Sequence, residues 1–331
     1  MAIYTSIGGQ ALIEGIMMKN PQKKTALAVR KPDKTIDITY LNEKSIKEKS
    51  AFLRLPIIRG VVSYIETMIQ GYKAMMMSAD ISGFTDLEEE KEREKKKEQD
   101  KDGKKSQSAL MAVIMTVGTV LGVALAIVLF LGIPRYAVAG IEWLAHTSFS
   151  PIVRASIEQL IKLAVLVAYM WGVSFMPDIR RVFSYHGAEH KTIFCYEKGL
   201  PLTVENVKKQ KRFHPRCGTS FLILMILVSL IISTVVQVIF PSVYDIKALW
   251  IVVKILLIPI ICGLGYEVLK ACGKYDNILT RIISAPGMWL QHITTKEPDD
   301  GMIEIAIAAL KACDEIEDPT QKETTDEYDN I

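Results

Sequence analysis

Three of the five histidines in this chain, His186, His190 and His214, fall between residues 177 and 217. The first two belong to the run Ser184-Tyr185-His186-Gly187-Ala188-Glu189-His190-Lys191. On a helix, residues four apart project from one face, so two imidazoles there can share one ion. Glu189 completes the order H-x-x-E-H of the inverted zinc-hydrolase motif, in which the glutamate takes a proton from the attacking water. Downstream, Phe213-His214-Pro215-Arg216-Cys217-Gly218 offers an imidazole and a thiol at a tight chelating spacing, on backbone restricted by proline. His186, His190, His214 and Cys217 together make a tetrahedral donor set, and mixed imidazole and thiolate donors favour zinc among the divalent metals. Two plainer readings use the same residues: a structural zinc clip, and a hydrogen-bonded polar cluster without metal. Gly187 inside the motif weakens a helix by about 1 kcal/mol. Glu267 lies at the end of an apolar segment, where a carboxylate is costly unless paired or ligated. It is therefore a further ligand candidate, with a Glu267–Lys270 surface pair as the plainer account. Lys254, by contrast, falls near the outer surface and needs no role.

The elements that position these residues follow from how charge is distributed. Half of the 331 residues are hydrophobic and 23% are charged, yet mean hydropathy is +0.22. Those figures coexist when apolar and charged residues occupy separate segments, as in a membrane protein. Ala109 to Ile133 and Gly218 to Phe240 contain no ionisable group and are long enough to cross roughly 30 Å of hydrocarbon. Residues 155–176 and 248–267 are weaker spans that carry Lys162 and Lys254. A net charge of +3 is too mild to argue for nucleic acid, and five unpaired-looking cysteines indicate a reducing compartment rather than a disulfide scaffold. No apolar run of signal length occupies residues 1–20, so no secretory signal is expected.

The basic residues set the expected orientation. The segment before the first span holds 20 Lys and Arg, and the loop between the second and third holds nine. The other two loops hold only Arg135, Arg154 and Lys247. This bias predicts four spans with both termini and residues 177–217 in the cytoplasm. The expected organisation is an α-helical multi-pass membrane protein with a small N-terminal α+β region over residues 1–87. A charged linker covers 88–108, and the spans are 109–133, 155–176, 218–240 and 248–267. The His/Cys loop is 177–217, C-terminal helices fill 268–313, and an acidic, disordered tail follows over 314–331. Within the N-terminal region, 25–41 alternates around Lys-Pro-Asp-Lys as a hairpin, and 7–18 reads as one preceding strand. Its Gly8-Gly9 pair marks close backbone packing, not a phosphate loop. Residues 52–79 have helical apolar spacing that suits a helix on the cytoplasmic leaflet or one packed on the hairpin. Residues 301–313 read as a short amphipathic helix.

Five blocks carry a resemblance to a known family: IGGQALIEGIMMKNP, FSYHGAEHKTIFCYE, FHPRCGTSFL, GYEVLK and PGMWLQHITTKEPDDGMIEIAIAAL. In order and spacing, over residues 7–310, they resemble the bacterial YqhQ family. The resemblance implies a multi-pass protein of the bacterial inner membrane, described as a metal-dependent enzyme of unspecified reaction. The family's motif positions fall on His186, Glu189, His190, His214, Cys217 and Glu267, and on Gln10 and Glu14 near the start. Trp289, Gln291, Thr294, Thr295 and Glu297 make up its C-terminal block.

The combined expectation is a metal-dependent hydrolase, with Glu189 as general base and zinc as the ion. It would act on a lipid-linked or membrane-protein substrate at the cytoplasmic face. A non-enzymatic scaffold with structural zinc is one alternative, and a lipid or small-solute carrier using Glu267 is another. Membrane lipids are the expected partners, nucleic acid is not, and homo-oligomerisation stays open.

Overall fold

The computed structural model describes Thr5, residues 7–20, 24–41, Ile46, 50–84, 117–118, 120–215, 217–275 and 277–315. The expected linker over 88–108, the first part of the 109–133 span, and the tail beyond Glu315 lie outside these residues.

Residues 8–41 form an antiparallel meander of β1 (Gly8–Leu12), β2 (Gly15–Lys19), β3 (Thr25–Arg30) and β4 (Ile36–Leu41), in that order across the sheet. The 25–41 hairpin is as expected. The single strand expected over 7–18 is instead a hairpin, because the chain reverses at Ile13 and Glu14, with Glu14 at φ +51°. Strand alternation sends Ile16, Met18, Ala26 and Ala28 to one face and Leu12, Met17, Leu27 and Val29 to the other. Both faces are covered, which is why β2 and β3 read as nearly unbroken apolar runs.

The second face is covered by the C-terminal half of helix α1 (Ile58–Ile81), through Ala74, Met75 and Met77. The first face is covered by α4 (Pro177–Glu197) and α8 (Asp300–Cys313). The amphipathic helix expected over 301–313 is therefore a central rod, buried from Met302 to Cys313 on nearly every side because sheet and α4 enclose it. Asp299 caps its start, accepting from the Met302 amide at 2.8 Å.

The apolar helices form a second layer. They are α2 (Val120–Leu144), α3 (Pro151–Val173), α5 (Gly218–Ile239) and α6 (Lys247–Lys274), with α7 (Ile278–Thr294) packed against α5. Three of them, α2, α5 and α6, are long and apolar enough to cross a membrane; α3 qualifies only jointly with α4, from which it is bent by 104°. The bend has a local cause: Pro177 disfavours helical backbone at Met176, which is extended at ψ 127°. Helix α2 runs on past Ile133 to Leu144, so Arg135 lies within it and not in a loop. The N-terminal half of α1 lies on α6, where Gly60 meets Gly263 with no room for a Cβ.

Candidate metal centre

The expected His/Cys loop is mostly helix. Helix α4 carries His186 and His190 one turn apart, with their ring centroids 4.3 Å from each other. Cys217 is the N-cap of α5, and its sulfur stands 3.1 Å from His186 Nε2. Donor atoms of His186, His190 and Cys217 all lie within 4.8 Å of one another. Two ligand atoms of a tetrahedral zinc site, with bonds of roughly 2.0 and 2.3 Å, would be about 3.5 Å apart.

The outer hydrogen bonds determine which ring nitrogens face inward. His186 Nδ1 donates to the Thr294 carbonyl at 2.9 Å, and His190 Nδ1 donates to the Arg212 carbonyl at 2.5 Å. A carbonyl can only accept, so both Nδ1 atoms carry protons and both Nε2 lone pairs are left for an ion. Burial works against a charged His186, but the Cys217 sulfur outweighs it and lifts His186 to about 9. Burial likewise opposes a thiolate at Cys217, and the two imidazoles overcome it, holding the thiol well below its usual range. A thiolate facing two imidazoles needs a cation between them, either the proton of His186 or a metal. The donor set fits a divalent ion.

Glu189 lies between the two histidines on α4 and is 5% exposed. The Gly9 amide donates to its carboxylate, whereas Oε2 is buried without a partner. Burial pushes this carboxyl above its ordinary value, against the pull of His186 and His190. Gly9 must be glycine, since a Cβ there would stand 2.9 Å from Glu189 Cδ. Gly187 has the same kind of reason: a Cβ would collide with the Lys296 carbonyl, where the 294–298 segment crosses α4. That segment also presents the carbonyl of Thr294 to His186.

The remaining predicted residues divide by distance from this trio. His214 packs its ring beside His190 and Phe194 and lies 3.9 Å from a Glu197 oxygen, outside the three-donor group. Gln291 clamps its backbone, accepting from the His214 amide at 2.7 Å and donating to its carbonyl at 2.8 Å. Thr295 donates back to the Gln291 carbonyl at 2.7 Å. Glu297 pairs with Lys191 and Arg212. Glu14 receives both arms of Arg181, at 2.5 and 2.6 Å, and the Tyr185 hydroxyl at 3.0 Å. Gln10 on β1 reaches the backbone of Gly71 on α1, and Trp289 is largely exposed on α7. Glu267 is held by Arg59 at 2.7 and 2.5 Å, so its partner is that arginine of α1, not Lys270. It is likewise outside the trio.

A family profile described as "Protein of unknown function (DUF1385)" matches residues 55–315. The chain is 34% identical over 307 residues to the uncharacterized protein YqhQ of Bacillus subtilis (strain 168), covering 92% of this chain and 90% of that protein. This chain belongs to that family. No solved structure matches it. All three members of the trio, and Glu189, lie within the matched region of the family.

Sequence reasoning missed the carbonyls of Thr294 and Arg212, which carry no side-chain signature. It also missed Glu158, which is fully buried in α3 and pairs with Lys254 of α6. Lys254, expected to need no role, is 8% exposed and is the partner of that acid. The available signal was an acid four residues into the 155–176 segment and a lysine seven residues into the 248–267 segment.

Proposed function

We propose that this protein is a membrane-embedded, metal-dependent hydrolase of the bacterial cytoplasmic membrane. In this reading α2, α5 and α6, with α3, cross the bilayer, and the sheet with α4 and α8 stands on the cytoplasmic side. The basic residues between positions 177 and 217 support that side. His186, His190 and Cys217 hold a divalent ion, for which zinc suits the donors best. Such an ion supplies Lewis acidity and lowers the pKa of a water toward neutrality.

The observation that carries the enzyme reading is the count of donors beside Glu189. Three ligands leave a fourth position open, the arrangement of catalytic zinc, whereas structural zinc is closed by four. Glu189, on the same helix between the two histidines, has Oε2 without a partner and could accept a proton, and burial raises its basicity above that of an ordinary carboxylate. Its Gly9 hydrogen bond fixes the carboxylate against the sheet. A substrate drawn from the membrane, lipid-linked or itself membrane-anchored, accounts for a site joined to the start of α5. The competing clip would need His214 to swing in as a fourth ligand.

Glu189→Gln separates the two. Metal content and thermal stability of the purified variant should equal those of the parent, while any phenotype of the null strain persists, because base catalysis contributes about 10²–10⁴-fold. Full complementation by Glu189→Gln at native expression, with Cys217→Ser failing, would favour the clip.

A further inference from the structure

A second buried polar cluster occupies the end of the helix bundle farthest from the His/Cys centre. It is independent of the metal reading and rests only on the reading that these helices cross a bilayer. The buried stripe of α3 is Ala155, Glu158, Gln159, Lys162 and Leu166, spaced by threes and fours along one face. Helix α3 packs against α5, whose buried residues in its final turns are Ser233 and Gln237. Helix α6 adds Trp250 and Lys254, the ammonium of Lys254 pairing with Glu158 and standing 5.3 Å from the Trp250 ring centre. At 1.5 Å per residue, Glu158 and Lys254 sit about 10 Å in from the starts of their helices, and Gln237 about 3 Å from the end of its own. Gln237 is about 30 Å along α5 from Cys217.

The bonding here is incomplete. Both amide atoms of Gln159 and both of Gln237 are buried without a hydrogen-bond partner, and these residues are 4% and 2% exposed. Glu158 is matched by Lys254, whereas Lys162, which feels both charges, has no ion-pair partner among the described residues. The cluster therefore has one lysine without an ion-pair partner and two amides, each still able to donate and accept. Buried amides are almost always hydrogen-bonded, and ionisable residues inside apolar spans mark ligand or ion sites.

We infer that this end of the bundle, around Glu158, Gln159, Lys162, Gln237 and Lys254, is an intramembrane binding site for a hydroxyl-bearing phosphate group. The phosphate oxygens accept from the Lys162 ammonium and the two amide NH₂ groups, and the hydroxyls donate to the two amide oxygens. A carboxylate would supply acceptors only and leave both amide oxygens unmet. A phosphatidylglycerol headgroup and protonated inorganic phosphate share the required chemistry, and the experiment separates them.

The test uses the full chain, recovered from carbonate-washed membranes and placed in phosphatidylcholine nanodiscs. Phosphatidylglycerol and inorganic phosphate are titrated separately and read by native mass spectrometry and thermal shift. Lys162→Met and the near-isosteric Gln159→Leu/Gln237→Leu pair should each weaken phosphatidylglycerol binding at least about tenfold. Saturable phosphate binding with the same Lys162 dependence would assign the free anion as the ligand and also support the site. Unchanged phosphatidylglycerol binding in the Gln159→Leu/Gln237→Leu variant overturns the inference, whether or not Lys162→Met folds. Chain recovered only in the soluble fraction would overturn the membrane reading along with it. Absent binding by membrane-recovered chain overturns this site alone.

Discussion

The His/Cys centre and the far end of the bundle are both buried and polar, but their hydrogen bonds are closed differently. At the centre, each imidazole is oriented by a backbone carbonyl, and Gln291 clamps the adjacent turn on both its amide and its carbonyl. Among the three donor residues and Glu189, the polar atom left open is Glu189 Oε2, with Thr192 Oγ1 and Arg212 Nε open nearby. Around Gln159 and Gln237, the Glu158–Lys254 pair is closed and four amide atoms remain open. A site whose ligand rings are fixed by outer hydrogen bonds is preorganised, and an unsatisfied carboxylate oxygen beside them points at what is to be bound or moved. A cluster left largely open indicates instead a ligand that completes it.

The sharpest way to break this comparison is to empty the centre alone. His190→Ala should take the purified protein from about one divalent ion per chain to essentially none by mass-spectrometric metal analysis. Phosphatidylglycerol binding at the far end should not change. Unaltered metal content would remove His190 from the ligands.

The far end is tested next through its ion pair. Lys254→Met removes the ion-pair partner of buried Glu158 and should cost about 3–5 kcal/mol in reversible unfolding, while Glu158→Gln/Lys254→Met should recover most of that. Equal losses in the single and double variants would show that the pair is not coupled.

A smaller effect is expected from Gly187→Ala, which forces the 294–298 segment off α4 and displaces the Thr294 carbonyl from His186. Loss of such an outer contact lowers metal affinity by about 10–100-fold, measurable by competition with a chromophoric chelator. Retained affinity would mean that His186 is oriented by some other group.

The mildest test is pH. A metal must displace the proton that His186 holds up to about 9, whereas Cys217 is already a thiolate. Affinity should therefore rise by about tenfold per pH unit from near neutrality and level off around pH 9. In the metal-free protein the sign is opposite. The stabilisation from the raised His186 is fully present below about 6.5 and is lost as pH rises through about 9. An affinity independent of pH would show that no proton is displaced.

Much of this was legible in the chain itself, for reasons that are local. Spacing within one helical turn brings His186, Glu189 and His190 together whatever surrounds them, and Cys217 follows a restricted turn close to the start of an apolar helix. Long uncharged runs must be helices of membrane-crossing length, and alternation around Lys-Pro-Asp-Lys makes a hairpin. Contacts between distant segments were not legible. Arg59 takes Glu267 from 208 residues away, and Glu158 meets Lys254 across 96. The reason is that a short-range pattern specifies which face of an element is polar, not which element that face will meet. Tertiary packing alone therefore determined that His214 stands beside the donor trio, that Glu267 belongs to an arginine, and that the helix over 301–313 is buried on nearly every side. It also explains Gly187, a poor helix former whose missing Cβ lets the backbone at Lys296 cross α4 and orient His186.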